Sequence, residues 1–262
     1  MAKREYNGAF FIDSSNPETI LEWNKTGLAR GVTTNPKIML DDGVNAEDYR
    51  PTIGKICQMM GLRPVSVELM DSRASVDDML YEAEDLASIA RNVVIKVPLI
   101  PDRPVECLEV MHKLAVEKGI PVNATVGMTF EGLTMMAGAL RGTKMESFVS
   151  QFYCRGDEDW NFRTQEGYAP KELKTGDGAE VNSSPSRLTR AIVRHLENDP
   201  ELRRVSLIVG SIRGASHVGE ALEAGAHVVT VTPPVLTAMV YSRRGVETVA
   251  AFDQDALKVR AR

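Results

Sequence analysis

One lysine lies inside an apolar, β-branched run, Asn92-Val93-Val94-Ile95-Lys96-Val97-Pro98. Such a run reads as a parallel strand covered on both faces, because β-branched side chains fit a buried pleat. Side chains alternate along a strand, so Val94 and Lys96 share one face while Val93, Ile95 and Val97 take the other. If the Val94 face points into a barrel, the Lys96 amine sits in a low-dielectric interior near the strand's carboxyl end. Burial there lowers a lysine pKa from about 10.4, and a neutral amine is a nucleophile toward carbonyls. A lysine closing a strand can also snorkel to solvent. The rest of the chain has to decide between the two.

Other polar residues fall at the ends of apolar runs. Asp13 follows Phe10-Phe11-Ile12, Asn35 ends Gly31-Val32-Thr33-Thr34, and Glu68 lies in Val65–Met70. Asn123 and Thr125 lie in Pro121–Val126, Ser150 in Phe148–Tyr153 with Arg155 just beyond, and Ser211 closes Val205–Ser211 with Arg213 just beyond. A coherent chemistry follows from these types. The amine forms an iminium with a ketone, the iminium acts as electron sink while a neighbouring C–C bond breaks, and the carboxylates move protons. Arg155 and Arg213, helped by Ser211, would hold a phosphate, with backbone N–H groups of the turn Gly210–Gly214 joining in. Asn123 and Thr125, like Ser211 and Arg213, are two apart and should face the same way if strand geometry extends that far. Each residue also has a plainer use: Asp13 as a turn or capping aspartate, Asn35 as half of an Asn-Pro turn, Glu68 as an architectural ion-pair partner of Lys96, the arginines as surface charges. What favours the chemistry is that all these residues fall at the same end of different strands.

Positioning them requires a scaffold, and the pattern supplies one. Strand-like and helix-like segments alternate along the chain, the signature of a parallel sheet with crossover helices. Eight such units, with connections of ordinary length except after the sixth strand, predict a single closed (β/α)8 barrel over residues 1–262. Helices are predicted from about Pro17 to Lys25, Asp48 to Met60, Ser75 to Ala90, Val105 to Lys118, Phe130 to Leu140, Ser184 to Glu197, Ala215 to Ala224 and Pro234 to Tyr241. A polar stretch over about 158–183 reads as an insertion on the end of the barrel that carries the strand termini. No Gly-x-Gly-x-x-Gly follows any strand, which disfavours an open dinucleotide-binding sheet.

Composition narrows the partners. The chain has 262 residues, 43% hydrophobic and 26% charged, with 31 Lys+Arg against 36 Asp+Glu. A net charge of −5 gives no reason to expect nucleic acid or an anionic membrane as a partner. No apolar run approaches a membrane span, and the N-terminus lacks a signal-peptide core, so a cytoplasmic protein is expected. Cys57, Cys107 and Cys154 are far apart and the four histidines show no ligand spacing, so neither a disulfide framework nor a metal site is expected. Leu236, Met239 and Val240 could form an apolar helix face for a homo-oligomer contact, or simply core.

The strings Phe-Ile-Asp13, Gly-Val-Thr-Thr-Asn35-Pro36, Val-Ser-Val-Glu68, Val-Ile-Lys96-Val-Pro, Asn123-Ala-Thr125, Ser150-Gln-Phe152-x-x-Arg155 and Gly-Ser211-Ile-Arg213 resemble the transaldolases, over about residues 10–255. The resemblance implies a Schiff-base transferase on an α/β barrel that needs neither metal nor cofactor. It would move a dihydroxyacetone unit between sugar phosphates, as in the pentose phosphate pathway. Lys96 would be the Schiff-base lysine, Asp13 would handle the proton of the hydroxyl released on C–C cleavage, and Glu68 with Thr125 would work through a water. Asn35, Asn123 and Ser150 would contact the sugar, and Arg155, Ser211 and Arg213 the phosphate. The related fructose-6-phosphate aldolases typically carry glutamine at Glu68 and tyrosine at Phe152, so this chain resembles the transferases at both. It departs from the family pattern at Gln151, where proline is usual, at Ile212, which replaces an aromatic, and at Gly127-Met128-Thr129.

Overall fold

The computed structural model describes residues 5–158 and 181–261. Parallel strands close into a barrel in chain order: β1 (Ala9–Asp13), β2 (Ala29–Thr33), β3 (Val65–Glu68), β4 (Val93–Pro98), β5 (Val122–Gly127), β6 (Ser147–Phe152), β7 (Val205–Gly210) and β8 (Val228–Val231), which pairs back to β1. The helices are α1 (Pro17–Lys25), α2 (Pro36–Asp41), α3 (Tyr49–Met60), α4 (Val76–Ala87), α5 (Pro104–His112), α6 (Phe130–Ala139), α7 (Pro185–Asn198), α8 (Ala215–Glu223), α9 (Pro233–Met239) and α10 (Arg243–Arg260). This is the expected (β/α)8 architecture. The insertion predicted at 158–183 lies outside the described residues apart from its ends.

The alternation read on β4 sorts two cores. Val93, Ile95 and Val97 join the large apolar layer between strands and helices. Val94 faces inward with Tyr6, Phe11, Phe148, Ile208 and Val228. The rings of Tyr6, Phe11 and Phe148 meet edge-on or tilted, with centroids 5.6–5.7 Å apart. This inner cluster fills the barrel below the strand ends, so the polar residues above it stand on a packed floor.

The connections that aim the site are set by caps. Asn16 Oδ1 accepts from the amides of Glu18 and Thr19 at 2.9 and 3.2 Å, with Pro17 preset for the first helical turn. Ser14 and Ser15 bind the end of α2: the Ser15 amide and hydroxyl each donate to Asp42 at 2.8 Å, and the Ser14 hydroxyl at 3.3 Å. The second strand ends earlier than expected, at Thr33, because Asn35 leaves the ladder to cap α2 and Pro36 cannot donate. Pro233 likewise opens α9 rather than closing β8. The helix after β4 passes into a π-helical segment at Lys113–Lys118 before Gly119 ends it with a left-handed backbone, φ 69°.

Leu236 packs into the core while Val240 is exposed, so the face expected to serve an oligomer contact is split, Leu236 being needed by the barrel. α10 was not anticipated from the sequence. It has no buried residue and exposes Val246, Val249, Phe252, Leu257 and Val259. Among the described residues no helix is long and apolar enough to cross a membrane.

Gly31 marks the tightest point of the floor. A Cβ there would stand 2.6 Å from the Phe11 ring, which Tyr6 and Phe148 prevent from swinging away. Gly31→Ala is therefore expected to destabilise the barrel by about 1–3 kcal/mol in urea unfolding, an overpacking cost.

Candidate active site at the carboxyl end of the strands

A cavity of about 450 Å³ opens where the strands end. Lys96, Glu68, Asp13, Asn35, Asn123, Thr125, Ser150, Phe152, Arg155, Ser211 and Arg213 all line it, so the structure brings every residue singled out in the sequence to one place. That volume suits a ligand of sugar-phosphate size.

Lys96 and Glu68 are direct partners in the β3–β4 register. The Lys96 Nζ lies 2.8 Å from Glu68 Oε2, with side-chain exposures of 7% and 17%, and donates to the Thr34 carbonyl at 2.9 Å. Snorkelling to solvent is thereby excluded: the amine is fixed inside the mouth by one carboxylate and one carbonyl. On geometry alone the pair could be architectural, but the cavity gives a ligand access to both ends of it.

Asp13 ends β1, three strands round the barrel from Lys96. The Thr33 hydroxyl donates to Asp13 Oδ1 at 2.6 Å and also meets the Thr230 hydroxyl. Burial pushes the Asp13 carboxyl above the usual aspartate range, while the Thr33 hydrogen bond and the Lys96 charge pull the other way. A carboxyl held toward neutrality in this way is suited to both accepting and returning a proton.

A buried amide and hydroxyl layer lies below. Asn123 donates to Ser66 Oγ at 3.2 Å and accepts from Ser150 Oγ at 2.7 Å, so its side-chain orientation is set from both sides. Thr125 differs. Its hydroxyl is buried, lines the cavity and has no hydrogen-bond partner among the described residues. An unpaired buried hydroxyl is costly unless something in the cavity completes it. Asn35 spends its Oδ1 on the Ile38 amide at 2.9 Å, so its structural and ligand-facing uses coexist.

The basic rim is built from two strand ends. Residues 153–158 turn helical directly after β6, and the Arg155 guanidinium lies 5.8 Å from the Phe152 ring centroid. Strand geometry does not extend through Ser211, whose φ of 58° swings the backbone out of β7. Ser211 and Arg213 reach the cavity through this turn rather than through alternation. Arg213 is exposed and paired with Glu158, so an anion entering there would have to displace a surface contact.

Three features were not legible in sequence. Thr33 and Thr230, which flank Asp13, carried a faint signal in Thr230 and Thr232 alternating on the last strand. The Asp42 clamp on Ser14 and Ser15 carried none. Val126 lines the cavity in a left-handed backbone, φ 69°, which no β-branched residue would be predicted to adopt. Gln151 faces outward, donating to the Pro185 carbonyl at 2.8 Å and accepting from Thr189 Oγ1 at 2.8 Å, and so ties β6 to α7. Among the described residues no group of three or more His, Cys, Asp or Glu could hold a metal ion.

Two stability predictions follow. Lys96→Ala strands the Glu68 carboxylate in the mouth and should cost about 3 kcal/mol, whereas Lys96→Ala/Glu68→Gln should recover most of it in a urea-unfolding double-mutant cycle. Asp13 keeps its proton to higher pH in the native protein than in the unfolded chain, so native stability is lost as pH rises from about 3.9 through the raised native value. Asp13→Asn removes that penalty. Its Tm should match wild type near pH 3.5 and exceed it at pH 7, and equal Tm values at both would show that Asp13 carries no burial penalty.

A family profile described as Transaldolase/Fructose-6-phosphate aldolase matches residues 10–261. A protein of Paracoccus denitrificans named probable transaldolase is 31% identical over 230 residues, covering 88% of each chain. One of the same name from Nitrosopumilus maritimus is 31% identical over 254 residues, covering 96% of each. Among solved structures, dihydrodipicolinate synthase from Rhodopseudomonas palustris superposes with a TM-score of 0.53 at 15% identity, over 86% of this chain and 69% of that one. Thiamine phosphate pyrophosphorylase from Pyrococcus furiosus gives 0.51 at 12%, over 92% and 96%. Those two likenesses speak for the barrel alone. With the profile spanning the whole barrel and the matched relatives nearly equal in length, the chain belongs to the transaldolase/fructose-6-phosphate aldolase family.

Proposed function

We propose that the protein is a transaldolase that moves a dihydroxyacetone unit from a ketose phosphate, of the fructose 6-phosphate or sedoheptulose 7-phosphate type, to an aldose phosphate. The observation that carries this is one amine, Lys96, held inside a cavity that also contains Glu68, Asp13 and the unpartnered Thr125 hydroxyl.

Glu68, in contact with the amine, takes its proton and frees it to attack the C2 carbonyl of the ketose. Glu68 and Thr125, through a water, then carry the proton that lets the carbinolamine lose water to the iminium. Asp13 accepts the proton of the C4 hydroxyl as the C3–C4 bond breaks, the electron pair flows into the iminium, and the aldose phosphate leaves. The remaining enamine attacks the carbonyl of the acceptor aldehyde, Asp13 returns its proton to the new alkoxide, and hydrolysis releases the product ketose. Asn35, Asn123 and Ser150 hold sugar hydroxyls, and Arg155, Ser211 and Arg213 the phosphate.

A lyase that releases free dihydroxyacetone is the second candidate within the family. The wall of the cavity speaks for the transferase. At the end of β6 it is Phe152 that lines the mouth, and no tyrosine does so among the described residues. Tyr153 points away, donates to Glu220 Oε2 at 2.6 Å, and is pushed to higher pKa by burial and by that carboxylate. With no phenol at the enamine among the described residues to deliver a proton, the enamine waits for an aldehyde. A homo-oligomer belongs to the same proposal, supported by the exposed apolar residues of α10. A monomeric mass in light scattering would remove that part.

Borohydride with fructose 6-phosphate should leave a reduced adduct on Lys96 by peptide mass mapping, with none in Lys96→Ala that is still folded by circular dichroism. Asp13→Asn should lower turnover by about 10²-fold or more while the adduct still forms. Free dihydroxyacetone accumulating without an acceptor would assign the lyase, and no adduct on folded wild-type protein would reject both.

A further inference from the structure

Beside the catalytic groups, β5 contains an irregularity that chemistry at Lys96 does not explain. Its ladder with β4 is unbroken through Pro98 opposite Thr125, and the Leu99 amide donates to the Thr125 carbonyl at 3.0 Å. On the β6 side, Ala124 pairs with Val149 and the next pair is Gly127 with Gln151. Thr125 and Val126 therefore stand opposite Ser150 alone, which is a β-bulge.

The bulge changes what faces the cavity. In regular alternation Val126 would share the outer face with Ala124, which packs in the layer under the helices. Instead Thr125 and Val126 both line the cavity. The following position has no room for any side chain: a Cβ on Gly127 would lie 2.4 Å from Leu133 and 2.8 Å from the Ser150 carbonyl. The distortion is thus concentrated at Val126, at φ 69°. Glycine adopts that conformation freely and is the usual residue at such a bulge, whereas a β-branched residue is strained there. Strain of this kind persists where a side chain is needed in place.

Val126 is also not alone. With Phe152 and Ile212 it supplies apolar lining at the ends of three consecutive strands, in the same cavity as Lys96, Ser150, Ser211, Arg155 and Arg213. We propose that Val126 is a specificity-determining residue, whose isopropyl group contacts the carbon chain of the sugar phosphate where it runs from the amine to the arginines. This inference rests on the transaldolase reading.

Val126→Gly turns the bulge into its unstrained form and removes the wall while leaving Lys96, Asp13 and Thr125 in place. Its Tm should rise by about 2–4 °C. KM for the aldose phosphate should rise about tenfold, with kcat and the Lys96 adduct nearly unchanged, and the preference between three- and four-carbon aldose phosphates should shift by a similar factor. Val126→Ala keeps a strained Cβ and trims the wall, so it should show the KM effect without the gain in Tm. A Val126→Gly protein with lower Tm and unaltered KM would overturn the inference, since Val126 would then be structural packing. If wild-type protein forms no adduct, the transaldolase reading falls and this inference with it; a normal wild-type adduct with unchanged selectivity in Val126→Gly sinks the inference alone.

Discussion

An amine at the mouth of an apolar barrel must be compensated where it stands, and the contact between Lys96 and Glu68 does this. Much of the mouth is arranged around that contact. The β3–β4 register sets the two residues opposite each other, the β4–β5 register sets Asn123 beside Lys96, and the end of β2 turns the Thr34 carbonyl toward the amine. A one-residue slip in any of these ladders would carry its side chains to the other face and leave the charge without a partner. Barrel closure thus protects the register, and the register protects the ion pair.

Asp13 depends on the same enclosure in the opposite sense. It has hydroxyls for neighbours rather than a cation in contact, so burial works against its charge. Two carboxylates of one cavity thus have different surroundings: Glu68 faces an amine and Asp13 faces threonines. The loops that hold them are tied to one another as well as to the barrel. Asp42 joins the turn after β1 to the end of α2, whose first turn is capped by Asn35.

The far side of the mouth is built differently. There the backbone leaves regular strand geometry at Val126 and Ser211, both with positive φ, and Val126, Phe152 and Ile212 line the cavity beside the polar Ser150 and Ser211 and the two arginines. Gln151, one of the departures from the family pattern, lies outside this surface and serves the packing of α7, so it bears on the scaffold rather than on the ligand.

Periodicity, caps and strand-end polar residues were sufficient in the sequence to determine the eight β–α units, most helix starts, and the set Asp13, Glu68, Lys96, Asn123 and Thr125. These are local properties: alternation assigns a face, and a Ser-Pro pair such as Ser184-Pro185 presets the first turn of a helix. The early end of β2 and the helix α2 were missed because Asn35 could equally end a strand or cap a helix, and only its contact with the Ile38 amide decides. Whether Lys96 would reach solvent or pair with Glu68 was also open in the sequence, since each residue alone permits both. Tertiary structure settled it through inter-strand register, a property of two chain segments that neither segment encodes by itself. The same holds for the bulge at Val126, where a left-handed valine arises from the fit of β5 between β4 and β6 against its own local preference.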